Sequence, residues 1–230
     1  MRSAKMTKAV ALIELIFAIV VMGIALMSAP MLLSTAAKST TVALQQEGIN
    51  EAVSQMNLIL TYPWDQNDTD TACIPPVLHV ANGDSELDEA NDDRRIGVPL
   101  ASSSRTFKCD GKEYNASVIG QEGNVTDDID DFNGKNYSLV VESSGSGGTD
   151  YLEKSTVNIA TSVSYIGDSA DYASKSFSYT PQGNSDDSTN IKKIQVTLTS
   201  TSGVQELQKT ITFNAFSCNI GGIAFERRTF

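Results

Sequence analysis

Histidine is almost missing from this chain: His79 is the only one among 230 residues. That excludes metal sites built on several imidazoles, and a Ser-His-Asp arrangement could use only that residue, which reads as a surface histidine in a loop. Basic residues are scarce too, with 17 Lys and Arg against 28 Asp and Glu and a formal net charge of -11. Nucleic-acid affinity depends on Lys and Arg patches that displace counterions, so no direct DNA or RNA partner is expected. A phosphate-binding glycine loop is also lacking, since "SGSGG" has no helix after it. No enzymatic chemistry is expected from these residues.

Charge is missing most completely near the start. From Ala9 to Ala37 the only charged residue in 29 positions is Glu14. A charge at the centre of a bilayer costs roughly 2.5 to 3.5 kcal/mol, so this carboxylate needs a partner or an interfacial position. Arg2, Lys5 and Lys8 precede the apolar run and Lys38 follows it. The positive-inside tendency then keeps the amino terminus cytoplasmic and exports the rest. In that compartment two of the three cysteines, Cys73, Cys109 and Cys218, can pair. Closure of the shorter loop by Cys73 and Cys109 is favoured over a bridge to Cys218, and three reduced thiols are the alternative.

An ordinary secretory signal fits the basic start, but its apolar core would be 7 to 15 residues, about half this run. A plain single-pass anchor fits the length and leaves Glu14 unexplained. In "KAVALIEL", Lys8 to Leu15, the chain resembles the type IV prepilins, precursors of type IV pilins and of type II secretion pseudopilins. Their signature is a basic leader, a small residue at the cleavage point, an apolar residue, then Thr-Leu-Ile-Glu-Leu or a near variant. Here Ala9 replaces the usual Gly, Val10 the usual Phe and Ala11 the usual Thr.

The resemblance implies a leader over residues 1–9, cut by a prepilin peptidase between Ala9 and Val10, and N-methylation of Val10. It makes Glu14 the assembly residue, meeting the Val10 amine of a neighbouring subunit. It further implies inner-membrane insertion with an assembly platform as partner, then a periplasmic or cell-surface filament of pilin or pseudopilin subunits. "DDIDDFNG" and "YPWDQN" resemble segments of minor pilins of MSHA-type systems, which points to a minor subunit. The alternative of another class is a single-pass, membrane-tethered binding or sensing domain that does not polymerise.

Beyond Pro30 the pattern becomes amphipathic. Val42, Ile49, Val53, Met56 and Leu60 share one predicted helix face, with Gln45, Gln46, Asn50, Glu51 and Gln55 on the others. One helix is expected over 10–62, membrane-spanning to about residue 33, with Pro30 kinking it, Gly48 weakening it by about 1 kcal/mol and Pro63 ending it. Residues 63–230 then form an extracytoplasmic domain. It begins with an irregular stretch to about Pro99 and continues in segments of β character, "RTFKCD", "EYNASVIG", "NYSLVVES", "STVNIATSVSYIG", "KSFSYT", "IKKIQVTLTS" and "ELQKTITFNAFSC". In "IKKIQVTLTS", Ile194, Val196 and Leu198 alternate with Gln195, Thr197 and Thr199. The expected fold class is α+β, type IV pilin-like, a long N-terminal helix against an antiparallel sheet.

No cofactor is expected. Asp128, Asp130 and Asp131 in "DDIDDFNG" are weak calcium candidates, because Phe132 breaks the EF-hand spacing; a solvated acidic turn is the preferred reading. Sequons stand at Asn67, Asn115, Asn124 and Asn136. The first three have an acid two residues earlier, Asp65, Glu113 and Glu122, and are glycosylation candidates.

Overall fold

The computed structural model describes residues 4–69, 74–83, 95, 106–120, 123, 125–141, 155–167, 175–176, 183–201 and 208–222. The chain divides into two units, Met1–Glu47 and Gly48–Phe230. Helix α1, Ala4–Ile59, supplies all that is described of the first unit and opens the second. Within the first unit, Leu12–Leu32 is long and apolar enough to cross a membrane, and none of it is buried within the chain. An apolar surface this size, unburied among the described residues, suits a lipid surrounding or a protein neighbour. Its hydroxyls turn inward: Ser28 Oγ donates to the Ala25 carbonyl at 3.0 Å and Thr35 Oγ1 to that of Met31 at 2.9 Å. These two hydroxyls are thereby satisfied by the helix itself. Pro30 lies inside the helix without ending it.

The second unit is an antiparallel sheet with the last turns of α1 on one face. Strands β1 (Lys108–Cys109) and β2 (Lys112–Glu113) form a small ribbon. The main sheet joins β3 (Asn136–Val141), β4 (Ser155–Ile166), β6 (Ile191–Thr201) and β7 (Thr210–Cys218) in that order, with the two-residue β5 (Asn184–Ser185) paired to the end of β4. Parity decides the faces. Val157, Ile159 and Val163 of β4 and Ile194, Val196 and Leu198 of β6 are buried together, in a register that sets Ile159 opposite Leu198 and Val163 opposite Ile194. On the other face polar pairs cross the strands, Gln195 Nε2 to Asn214 Oδ1 at 3.1 Å and Ser138 Oγ to Asn158 Oδ1 at 2.7 Å.

The expected helix face is displaced. Gly48, Ala52, Gln55, Met56 and Ile59 are buried, while Val42, Val53 and Leu60 are exposed and Ile49 is half-buried. Small residues explain the rotation. A Cβ on Gly48 would stand 2.9 Å from Leu198 Cδ1 and 3.1 Å from Val157 Cγ1, so the backbone approaches the sheet through a gap that only glycine leaves. The helix also stops at Ile59 rather than Tyr62, closing with tightened bonds from Thr61 N–H to the Leu58 carbonyl and from Tyr62 N–H to that of Ile59. Of the β segments, "EYNASVIG" provides only the end of β2 and an isolated bridge between Asn115 and His79, and "KSFSYT" lies mostly outside the described residues.

Candidate functional site

Immediately beyond α1, Trp64 and Asp65 turn inward and are buried. Asp65 has extended backbone and caps the short 3-10 helix Gln66–Asp68, its Oδ1 accepting the Asn67 N–H at 3.0 Å. This is the ordinary behaviour of an aspartate before a helical turn. A second 3-10 turn, Asp130–Phe132, is organised the same way: Asp128 Oδ1 accepts the N–H groups of Asp130 (2.9 Å) and Asp131 (3.2 Å), and Asp131 Oδ2 that of Asp127 (2.8 Å). Asp128 Oδ2 accepts the Gln66 N–H at 2.9 Å, and the Ile129 N–H bonds to the Pro63 carbonyl at 3.1 Å, clamping the two turns together. The octet "DDIDDFNG" is therefore not a solvated turn throughout: Asp128, Asp130 and Asp131 are buried, Asp128 and Asp131 accepting backbone N–H groups and Asp130 accepting from Lys192 and Ser117.

The positive charge in this cluster comes from the sheet. Lys192 shares its parity with Ile194, Val196 and Leu198, so it points to the core face, and it is fully buried beside its cross-strand partner Tyr165. Its Nζ donates to the Trp64 carbonyl at 2.8 Å, to Asp65 Oδ2 at 3.2 Å and to Asp130 Oδ2. The ammonium also lies 4.5 Å from the Trp64 ring centroid and 5.5 Å from that of Tyr165. Ser117 joins the two acids, its Oγ donating to Asp65 Oδ2 (2.9 Å) with Asp130 Oδ2 at 3.3 Å; the Tyr165 hydroxyl bonds to the Ser117 carbonyl at 2.7 Å.

Carboxylate outnumbers ammonium here, and protons make up part of the difference. Burial, followed by the neighbouring Asp130, pushes the Asp128 carboxyl from its ordinary 3.8 up to about 7. Burial and then Asp65 push Asp68 up to about 6. Carboxylate oxygens of Asp65, Asp128 and Asp130 lie within 4.8 Å of one another, close enough for a cation. Calcium takes 6 to 8 oxygen ligands with open lone pairs. Oxygens of all three acids accept donors from the chain, backbone N–H groups at Asp65 and Asp128 and the Ser117 hydroxyl and Lys192 ammonium at Asp65 and Asp130.

Sequence reasoning named three of these acids and missed Trp64, Asp65, Ser117, Tyr165 and Lys192 as a group. One signal was available: counting back by two from Ile194 places Lys192 on the buried face. The remaining expected residues stand apart. Ala9, Val10 and Glu14 lie on α1 in the first unit. Cys109 is disulfide-bonded, Cys218 is an exposed thiol outside that bond, and Cys73 and Asn124 lie outside the described residues. Asn67 Nδ2 donates to the Asn115 carbonyl at 2.9 Å, and Asn136 Nδ2 to that of Gly134 at 3.2 Å. His79 stacks on Phe107 with centroids 4.6 Å apart, its Nε2 3.8 Å from the Glu113 carboxylate. No family model, curated protein or solved structure matches this chain.

Proposed function

We propose that the chain is a structural filament subunit of the type IV pilin and pseudopilin kind, in the role of a minor subunit. The observation that carries this reading is Glu14, a lone acid near the start of the unburied, predominantly apolar segment Leu12–Leu32. A peptidase cut between Ala9 and Val10 would bare an amine four residues from this carboxylate. A neighbouring subunit's Val10 amine then neutralises Glu14, and each charge makes the other tolerable in a low-dielectric surrounding; stranding either costs about 3 to 5 kcal/mol. Two further features support assembly through the helix. The helical pattern continues from the apolar segment to the turns beneath the sheet, and Val53, Leu58 and Leu60 leave apolar surface beside the buried face. In this reading the protein waits in the inner membrane with its amino terminus cytoplasmic. It then joins a periplasmic or surface fibre through the assembly platform.

Mass spectrometry of the mature amino terminus, from cells that carry the peptidase, tests the first step. A methylated Val10 is expected; an intact Met1 would favour a tethered domain that does not polymerise. Glu14→Ala should leave membrane insertion in place and reduce filament incorporation at least tenfold, measured by immunoblotting sheared fibres against whole cells.

A further inference from the structure

Lys192 and Asp130 meet in a place closed to solvent. Both side chains are fully buried and in contact, walled by Trp64 and Tyr165. Asp65, also fully buried, touches the same ammonium and reaches Asp130 through the Ser117 hydroxyl. We propose that Lys192 and Asp130 condense to an intramolecular amide in the folded chain, with Asp65 as the group that carries the protons. This inference is independent of the filament reading, since it uses only the second unit.

The step balances without a co-reactant. The Lys192 ammonium passes one proton to Asp65, and the lone pair so exposed on Nζ attacks Cγ of Asp130. The N–C bond forms as the carbonyl electron pair moves onto oxygen. On collapse one C–O bond of Asp130 breaks, and that oxygen leaves as water, taking the proton held by Asp65 and a second from Nζ. Ammonium and carboxylate become a secondary amide and one water, with no change in oxidation state.

Three features favour this course. Burial penalises ions, so a neutral amide suits this place better than an ion pair does. The reacting groups are held together by β6 and the Asp130–Phe132 turn, which converts a slow bimolecular condensation into a unimolecular one. The product replaces a buried ion pair with an amide, while Asp65 keeps the Asn67 N–H, the Ser117 N–H and the Ser117 hydroxyl as donors. A cleft of about 440 Å³ shares Ser117 and Tyr165 with the site.

Trypsin digestion of the full-length chain, purified in detergent, reduced and denatured, decides the matter. The expected product is peptide 113–135 joined to peptide 176–193, lighter than their sum by one water and uncut after Lys192. Asp65→Asn, checked for folding by the near-ultraviolet signal of Trp64, should give the two peptides separately. Wild-type protein that yields unmodified peptides, with normal cleavage after Lys192, would overturn the proposal and leave an ion pair. A link that persists in folded Asp65→Asn would overturn the role given to Asp65. The wild-type digest stands by itself if that variant fails to fold.

Discussion

Lys192 and Asp128 are both buried, and each makes a prediction of its own. Lys192 lies between Asp65 and Asp130, and a side chain that can neither pair with these acids nor bond to Asp130 would leave two carboxylates facing each other in the interior. Lys192→Met should lower unfolding stability by about 3 to 5 kcal/mol, read from urea titration of the tryptophan signal. Asp128 works in the opposite sense to a salt-bridged acid. Its folded pKa is raised from 3.8 to about 7, so the folded state holds a proton that the unfolded state has released. Its contribution is therefore present below about pH 4 and is lost as the pH rises through 7. Asp68, raised to about 6, acts in the same direction. The urea midpoint should fall between pH 4 and 7. Asp128→Asn should flatten that slope, although it also costs one acceptor for a backbone N–H and so lowers the midpoint slightly at acid pH.

Elements differ in how openly the chain announces them. The β6 strand was legible because a half-buried strand alternates, and Ile194, Val196 and Leu198 do so against Gln195, Thr197 and Thr199. The last turns of α1 were legible as a helix but not in their facing. Large residues at Val53 and Leu60 suggested a packing stripe, whereas the contact is made where Gly48 and Ala52 allow backbone and sheet to close. A glycine that weakens a free helix can strengthen a packed one. Gly48→Ala would gain about 1 kcal/mol in helix propensity. Its methyl would press on Leu198 and on the stiff Val157, an overpacking cost of about 1 to 3 kcal/mol. The net expectation is a loss of roughly 1 kcal/mol, measurable as a lower thermal midpoint. The acid cluster was the least legible part. Its members sit at 65, 117, 128–131 and 192, on separate turns, loops and a strand, and no local periodicity connects them. Lys192 alone could be placed, by strand parity.

At the scale of the whole molecule, two surfaces of opposite character belong to one chain: an unburied apolar helix and an acidic domain with net charge -11 over the full sequence. The apolar segment makes the full-length chain an integral membrane protein in the proposed reading. Washing membranes at high pH should leave it in the pellet. Val20→Arg together with Ile24→Arg should shift it to the supernatant, since each arginine costs roughly 2.5 to 3.5 kcal/mol at mid-bilayer.

The seating of Ala52, Met56 and Ile59 on strands that end near residue 201 has a kinetic meaning as well. Those helix positions have nothing to rest on until more than a hundred further residues have emerged, so the nucleus must close a very long loop before apolar area is withdrawn from solvent. Such topology belongs to the slow end of folding, on the order of milliseconds to seconds. During that delay the apolar strands of the emerging chain stay uncovered, the condition in which unfinished chains aggregate.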